Sequence, residues 1–246
     1  MRNEECGARP KDACYRRDAR MWKAVNDMVK RAFDIVSAVV ALIILSPVMI
    51  ACAIWVRRDS EGPALFKQDR LTKDGRVFKM LKFRSMVQNA EKSGAGLFNY
   101  EGDPRVTRCG RFLREPSLDE LPQLLNILKG DMSVVGPRPC VVYELGDFAT
   151  LNKRFRKRFE VKAGLTGYAQ IQGRNELEWD KKVDFYNRYI DLYRRWGVLL
   201  DLWIVIKTFT SVFSHHDIYE NKVDEDLSDN ISAEQAQAMV IKMAHE

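Results

Sequence analysis

One strongly apolar segment, residues 32–56, most constrains what this chain can fold into. It runs without a charged residue from Ile35 to Val56, which is long enough to cross a bilayer, since a crossing takes about 20 apolar residues. The core helix of a soluble protein is the alternative, but no other segment of the chain is apolar on all sides. The segment therefore indicates a membrane-associated protein.

The middle of this segment carries Ser46 and Pro47. Proline cannot donate to the carbonyl one turn back, so a break or sharp kink is expected, and the Ser46 hydroxyl can bond a freed carbonyl. Basic residues, which prefer the cytoplasmic side, flank both ends: Lys23, Lys30, Arg31, Arg57 and Arg58. These features favour a re-entrant helix–break–helix that enters and leaves by one face. A plain span with a central proline stays open as the alternative.

The net charge and the cysteines and histidines limit which partners and which kinds of catalytic or metal site this chain can have. The net charge is +6, which favours an anionic partner such as nucleic acid, acidic lipid or a phosphorylated substrate. The five cysteines are odd in number and lack CxxC spacing, which argues against a disulfide framework and a zinc site. All three histidines come late in the chain, which argues against a His-based triad or metal site.

Two adjacent carboxylates, Asp119 and Glu120, stand where a helix is expected to begin. Ser117 has capping-box spacing to Glu120, but Pro122 disfavours helical geometry at the residue before it, so the helix start near Leu121 is an equal alternative. Free backbone N–H groups at a helix N-terminus attract anions. With Arg111 and Arg114 just upstream, the stretch can hold a metal ion and a phosphate together. The competing interpretation is an ordinary cap followed by a core helix.

The rest of the chain supplies further basic and glycine-rich segments. Residues 64–68 and 77–83 predict a basic β-hairpin, and the prolines around Arg138 predict a rigid loop that presents this arginine to an anion. Residues 140–160 are predicted to form a basic amphipathic helix, which faces either an anionic membrane surface or solvent. Residues 176–213 predict two helices, the second either in the core or at the membrane interface.

These motifs together resemble the bacterial monotopic phosphoglycosyltransferases, which move a phospho-sugar from a UDP-sugar to polyprenyl phosphate. The resemblance covers about Lys30 to Thr210. It rests on motifs that are each weak but whose order is specific: Ser46-Pro47, Phe66–Arg70, Lys82–Met86, Ser117–Gln123, Gly136–Pro139, Gly164–Gln170 and Gly173–Asn175. The chain departs at Ala163, where the family usually has proline, and at Tyr168, where it often has tryptophan. The single apolar segment is similar to the short form of the family.

The resemblance implies roles for these residues. Asp119 is implied as the nucleophile that forms an aspartyl phospho-sugar and releases UMP, and Glu120 as its partner in metal binding or proton transfer. Mg²⁺ is the implied cofactor, held by the same two carboxylates. The implied phosphate-binding residues are Arg114, Arg138, Lys82 and Arg174. The implied partners are the UDP-sugar, polyprenyl phosphate and membrane lipid, with no nucleic acid and with a homodimer left open.

The expected architecture is an α+β protein with four regions. They are a flexible lead-in (1–22), a re-entrant membrane helix (23–58), a mainly helical catalytic domain with a small β-hairpin (59–213) and an acidic C-terminal tail (214–246), which is expected to be a solvated or frayed helix. The implied place is the cytoplasmic face of the bacterial inner membrane, in exopolysaccharide or lipopolysaccharide synthesis. A nucleic-acid-binding protein lacks support because no aromatic–basic stacking platform is evident. A non-catalytic scaffold of polysaccharide assembly does not need the intact acidic pair.

Overall fold

A computed structural model describes residues 10–88, 90, 102–173, 179–213 and 233–246. The helices and strands of these ranges follow one another as α1 (Pro10–Asp59), β1 (Leu65–Leu71), β2 (Val77–Phe83), α2 (Arg108–Arg114), α3 (Gln123–Lys129), β3 (Ser133–Val135), α4 (Lys153–Arg156), β4 (Gly164–Thr166), α5 (Gln170–Gly173), α6 (Trp179–Trp196), α7 (Val198–Phe213) and α8 (Ala233–His245). Helices dominate and the strands are few and short, so the expected mainly helical α+β architecture is confirmed.

The long helix α1 runs through Pro47 without interruption. The Ser46 hydroxyl donates to the Ile43 carbonyl at 3.0 Å, which satisfies the acceptor that proline leaves without its usual partner. The predicted break between two helices is therefore wrong. Residues 10–22 are also helical, so the flexible lead-in is corrected over that range. The stretch Ala24–Asp59 is long and apolar enough to cross a membrane.

One face of α1 packs on the rest of the protein along most of its apolar length. Near its middle, Ala38 is buried in a cluster with Met80 of β2 and Ile127 of α3. Towards its end, Cys52 and Val56 are buried in a cluster with Phe83, Cys109 and Leu113. The opposite face carries exposed apolar side chains, among them Ile43 and Ile50. The helix is thus both a wall of the folded domain and an apolar surface.

The two sheets are small and bring distant segments together. Strands β1 and β2 pair as an antiparallel hairpin with Leu65 opposite Phe83, as predicted. Strands β3 and β4 are parallel, with Ser133 opposite Gly164. A Cβ on Gly164 would lie 2.0 Å from the backbone nitrogen of Gly136. Only a residue without a side chain permits this approach, which explains why position 164, next to the start of the Arg138 loop, is a glycine.

The segment 140–160 differs from the helix that its pattern predicts. It begins as an irregular chain and then forms a 3₁₀ turn, the four-residue α4 and a second 3₁₀ turn. Gly146 adopts φ +71°, and the Asn152 side chain accepts from the backbone N–H of Phe155, so the chain turns and restarts instead of continuing.

The aromatic side chains of this segment do not form a membrane-facing surface. Phe155 and Phe159 are buried in the core. Basic neighbours pair with acids of α6 at 2.8 Å and 2.7 Å: Arg154–Asp180 and Lys157–Asp191. The prediction of a membrane-binding basic helix over residues 140–160 is therefore wrong, because its apolar side faces the protein core.

The C-terminal part of the chain contributes three helices to the described structure. Helices α6 and α7 confirm the two that were predicted. Helix α8 carries Val240 and Ala244 into the core beside Leu145 and Leu151, and the Ala244 carbonyl accepts from the Asn152 N–H at 2.9 Å. The predicted helix in the tail is thus confirmed over Ala233–His245, but its expected solvated or frayed character is wrong there because one side of it is buried. Residues 214–232 lie outside the described ranges.

Candidate active site

The acidic pair lies in a single 3₁₀ turn, Leu118–Glu120, between α2 and α3. Ser117 precedes it in the left-handed region (φ +60°) and makes no capping hydrogen bond, so the predicted capping box is wrong. Helix α3 begins at Gln123, after Pro122, which agrees better with the alternative of a later helix start. The carboxylates therefore sit on a tight turn just before the helix and not in its first turn.

Two neighbouring elements fix this turn. A Cβ on Gly110 of α2 would lie 2.0 Å from the Ser85 carbonyl oxygen, so the glycine allows α2 to approach the chain after β2, where Arg114 Nε donates to Ser85 Oγ at 2.8 Å. In α3, Asn126 accepts from the Leu81 N–H at 2.9 Å and donates to the Lys79 carbonyl at 2.8 Å. These bonds hold β2 alongside α3, which places Lys82 beside the acidic turn.

Two cations meet at Glu120. Lys82 Nζ lies 3.2 Å and Arg138 Nη2 2.9 Å from the same oxygen, Glu120 Oε1. Burial alone would raise the pKa of Glu120, but the charges of Arg138 and Lys82 outweigh it and hold this pKa well below its usual range. Glu120 is therefore a permanent carboxylate that joins two elements distant in sequence.

Asp119 experiences a different environment. Its side chain is buried, and the resulting loss of solvation raises its pKa to about 6, with the Lys82 charge opposing the rise and the Glu120 charge adding to it. Arg114 and Arg138 also act to lower this pKa. Asp119 is therefore ionised but poorly solvated near neutral pH. Such a carboxylate can act as a nucleophile because little hydration opposes its attack.

The loop that carries Arg138 is fixed by two further arginines. Arg158 donates to the backbone carbonyl of Arg138, and Arg70 Nη1 donates to the carbonyl of Pro139 at 2.8 Å. At the loop's start, the Gly136 N–H donates to the Thr166 carbonyl at 2.9 Å. The rigidity predicted from the prolines thus has a tertiary basis as well, and the Arg138 guanidinium is presented from a fixed backbone.

These residues open into one large cavity of about 1380 Å³. Its polar wall includes Lys82, Arg114, Asp119, Glu120 and Arg138. Its apolar wall includes Val36, Val40 and Ile44 of α1 and Val205 and Phe209 of α7. A cavity with one charged and one apolar wall suits a ligand, or a pair of ligands, with both characters.

Most of the predicted site residues therefore share one cavity. Arg174 lies outside the described residues. Ser46 and Pro47 belong to α1 but not to the cavity lining. Asn126, Arg70 and Arg158 were not predicted as site residues from the sequence. Asn126 and Arg70 lie within or next to the quoted motifs, which was the available signal. Arg158 belongs to the segment 140–160, which was predicted to be a basic helix facing either a membrane surface or solvent.

The carboxylates of the site suit a magnesium ion that is bound partly by the protein and partly by a substrate. Within the described ranges, no group of three or more His, Cys, Asp or Glu side chains could hold a metal ion. Asp119 and Glu120 are two adjacent carboxylates in the cavity wall. Mg²⁺ is commonly bound by one or two carboxylates together with substrate phosphates, rather than by an all-protein cage. The residues present therefore fit a magnesium ion that arrives with a phosphorylated ligand.

Comparison with known proteins places this geometry in a family. The family model of the bacterial sugar transferases matches residues 25–215. The chain is 42% identical over 200 residues to the UDP-glucose:undecaprenyl-phosphate glucose-1-phosphate transferase of Escherichia coli (strain K12), covering 79% of this chain and 42% of that protein. It is 39% identical over 211 residues to the undecaprenyl-phosphate galactose phosphotransferase of Salmonella typhimurium, covering 80% of this chain and 43% of that protein.

A shorter relative is matched over nearly its whole length. The chain is 38% identical over 194 residues to the sugar transferase EpsL of Bacillus subtilis (strain 168), covering 78% of this chain and 91% of that protein. By contrast, the chain matches about two fifths of the length of the longer relatives. The family match covers the acidic turn, the Arg138 loop and most of the cavity wall, and this chain belongs to the bacterial sugar transferase family.

Proposed function

We propose that this protein transfers a phospho-sugar from a UDP-sugar to undecaprenyl phosphate and releases UMP. The observation that carries the proposal is the cavity, which joins a buried carboxylate flanked by cations to an apolar wall of α1 and α7. The charged wall suits the diphosphate of a water-soluble donor, and the apolar wall suits a lipid acceptor. Relatives named as undecaprenyl-phosphate sugar phosphotransferases support the same substrates.

In the proposed first step, an Asp119 carboxylate oxygen attacks the β-phosphorus of the donor. The bond from that phosphorus to the bridging oxygen breaks, and UMP leaves with the electron pair. An oxygen of the acceptor phosphate then attacks the aspartyl phospho-sugar and regenerates the Asp119 carboxylate. Lys82 and Arg138, both at Glu120, reduce the repulsion between Asp119 and the anionic donor and stabilise the charge that develops.

Magnesium, held by Asp119 and Glu120 and by the donor phosphates, would supply charge neutralisation at the diphosphate. Glu120 is suited to this role because its pKa is held low by Arg138 and Lys82. The same contacts keep Glu120 oriented beside Asp119.

The packing of α1 supports a placement in one leaflet with both helix ends on the same face, that is, a re-entrant placement without the predicted break. We propose that this face is the cytoplasmic one. Contacts with the folded domain extend from Lys30 to Val56 along α1, a length of about 39 Å at 1.5 Å per residue. The hydrocarbon core of a bilayer is about 30 Å thick. A helix that stood straight across it would draw the attached, charged domain into the hydrocarbon. We infer that α1 instead lies with its exposed apolar face in one leaflet.

The test of this function is trapping of the covalent intermediate. Wild-type protein is incubated with labelled UDP-sugar and Mg²⁺ without undecaprenyl phosphate, then examined by intact mass and peptide mapping. We expect label on Asp119, stoichiometric release of UMP and a chase of the label into lipid on addition of the acceptor. Asp119→Asn keeps the shape and should give no label, whereas Glu120→Gln should slow the labelling.

A competent wild-type enzyme that shows sequential kinetics and no label would instead make Asp119 a metal ligand, with direct attack by the acceptor phosphate. A protein that neither releases UMP nor transfers sugar from any donor in a UDP-sugar panel would favour a non-catalytic scaffold of polysaccharide assembly. The same panel identifies the sugar.

A further inference from the structure

Arg158 is a buried cation in the wall of the site cavity that the proposed reaction does not use. Only 4% of its surface is exposed. Its guanidinium carbon lies 4.4 Å from the ring centroid of Tyr186, 5.6 Å from that of Phe159 and 5.9 Å from that of Trp179. These rings hold the guanidinium in place and partly compensate for its lost hydration. The sequence pattern predicts that the basic side chains of residues 140–160 face either a membrane surface or solvent, so the burial of Arg158 needs another explanation.

The hydrogen bonding of Arg158 is incomplete. One terminal nitrogen, Nη2, donates to the backbone carbonyl of Arg138. The other, Nη1, is buried and has no hydrogen-bond partner among the described residues. A buried cationic donor without a partner is costly, and the cost falls when an anionic acceptor binds. Arg84 is another buried arginine of the cavity wall with unpartnered nitrogens. Its Nη2 donates to the Val56 and Ser60 carbonyls, so it holds the end of α1 and not the loop that carries Arg138.

The position of Arg158 relative to the acidic turn indicates which anion it takes. Arg138 and Lys82 reach Glu120, next to the proposed nucleophile, so they face the phosphorus under attack. Arg158 lies behind the Arg138 backbone, among rings from α6 and its neighbouring turn. The next phosphate along a nucleoside diphosphate donor is the one that stays with the nucleoside.

We propose that Arg158 is a donor-binding residue whose Nη1 binds the α-phosphate of the nucleotide, beside the loop that presents Arg138 to the β-phosphate. This inference rests on the proposed function for the identity of the donor. It assigns two tasks to one side chain: Nη2 positions the Arg138 loop and Nη1 holds the leaving nucleotide. A cation at the α-phosphate, in addition to Arg138 at the β-phosphate, would also stabilise UMP as it departs.

The test compares the binding of UMP with that of uridine, which lacks the phosphate, to Arg158→Met and Arg158→Lys by calorimetry or ligand-observed NMR. A charge-assisted contact corresponds to about a tenfold to hundredfold change in affinity. We expect Arg158→Met to weaken UMP binding by that factor and to leave uridine binding within twofold of wild type. Arg158→Lys keeps the charge but loses the two-pronged guanidinium, so its UMP affinity should lie between those of the wild type and Arg158→Met.

Arg154→Met is the matched control, since Arg154 belongs to the same segment but pairs with Asp180 and Asp184 at the surface. It should change neither ligand's affinity. An unchanged ratio of UMP to uridine affinity in Arg158→Met, with or without a lower melting temperature, would overturn the inference and leave Arg158 as a loop anchor only. A wild type that shows no preference for UMP over uridine would overturn it too.

The two proposals fail separately. UMP release from the UDP-sugar panel by wild-type protein tests the transferase function, whereas the affinity ratio tests the phosphate contact. Suppose that the wild type releases no UMP but that Arg158→Met loses UMP affinity. This result would support the nucleotide site and overturn the proposed reaction. UMP release by the wild type, combined with an unchanged ratio of UMP to uridine affinity in Arg158→Met, would support the reaction and overturn the Arg158 contact.

Discussion

Replacing Lys30 by methionine should destabilise the whole protein, because Lys30 joins α1 to the domain through a buried ion pair. Lys30 Nζ contacts Asp201 Oδ2 of α7 and donates to the Val135 carbonyl at 3.0 Å, and the Tyr189 hydroxyl donates to Asp201 Oδ1 at 2.8 Å. Asp201 is completely buried. Removing one partner of a buried pair costs about 3–5 kcal/mol because it leaves an uncompensated charge.

The assay is urea unfolding in detergent micelles, followed by tryptophan fluorescence and compared with melting curves. The matched control is Lys79→Met, which removes a hairpin pair with Asp69 whose side chains are 68% and 53% exposed; exposed pairs contribute about 0–1 kcal/mol. The double variant Lys30→Met/Asp201→Asn should recover part of the loss, since it removes the orphaned charge along with its partner.

The loss should also depend on pH in a defined direction. Burial raises the pKa of Asp201, and the Lys30 charge opposes that rise, so the Lys30→Met variant raises it further. A carboxyl group whose folded-state pKa lies above its unfolded value makes stability fall as pH rises. The deficit of Lys30→Met should therefore be larger at pH 8 than at pH 5. A deficit below about 1 kcal/mol at pH 8, similar to that of the exposed control pair, would refute the reasoning.

Three other changes test separate parts of the structure. Arg138→Ala should lower donor turnover at least tenfold with little change in melting temperature, since it removes a contact worth about 1.5–3 kcal/mol from the diphosphate; turnover within twofold of wild type would make Arg138 structural. Asn126→Ala should cost about 1–3 kcal/mol by leaving partly buried backbone groups of β2 unpaired, and an unchanged melting temperature would contradict its bridging role. Single cysteines at positions 25 and 60 should react with an impermeant reagent from the same membrane face, and labelling from opposite faces would exclude the re-entrant placement.

Local signals predicted the elements whose causes are local. Two short runs, residues 64–68 and 77–83, with the turn Lys73-Asp74-Gly75 between them were enough to predict the hairpin, where Asp74 adopts φ +59°. The break at Pro47 and the helix over 140–160 failed for opposite reasons. At Pro47, the helix continues because its long apolar face packs on the domain. The hydrogen bond from Ser46 also satisfies the carbonyl that proline leaves without a donor. Over 140–160, caps at Asp147 and Asn152 divide a segment whose apolar period looked continuous.

The site residues were predictable because the motifs that carry them are short and specific, yet their arrangement was not. Nothing in the order of the chain shows that Lys82 and Arg138 share one oxygen of Glu120. That contact depends on Asn126 holding β2 to α3 and on Arg70 and Arg158 holding the loop. Residues such as these act through tertiary contacts, so their type and spacing alone do not distinguish them from ordinary surface residues.

The structure also explains why one helix serves both the fold and the proposed reaction. Val40 and Ile44 of α1 line the cavity, while neighbouring Ile43 is among the exposed apolar residues of the same helix. A lipid acceptor that reaches the charged wall must pass from an apolar surface to Asp119 without crossing solvent, and α1 provides apolar side chains on both parts of that route. Lys30 and Arg31 fix this helix to β3 and α3, the elements that flank the Arg138 loop and the acidic turn. Since the same contacts position the apolar wall and the charged wall, a change that detaches α1 should disable acceptor transfer and donor cleavage together.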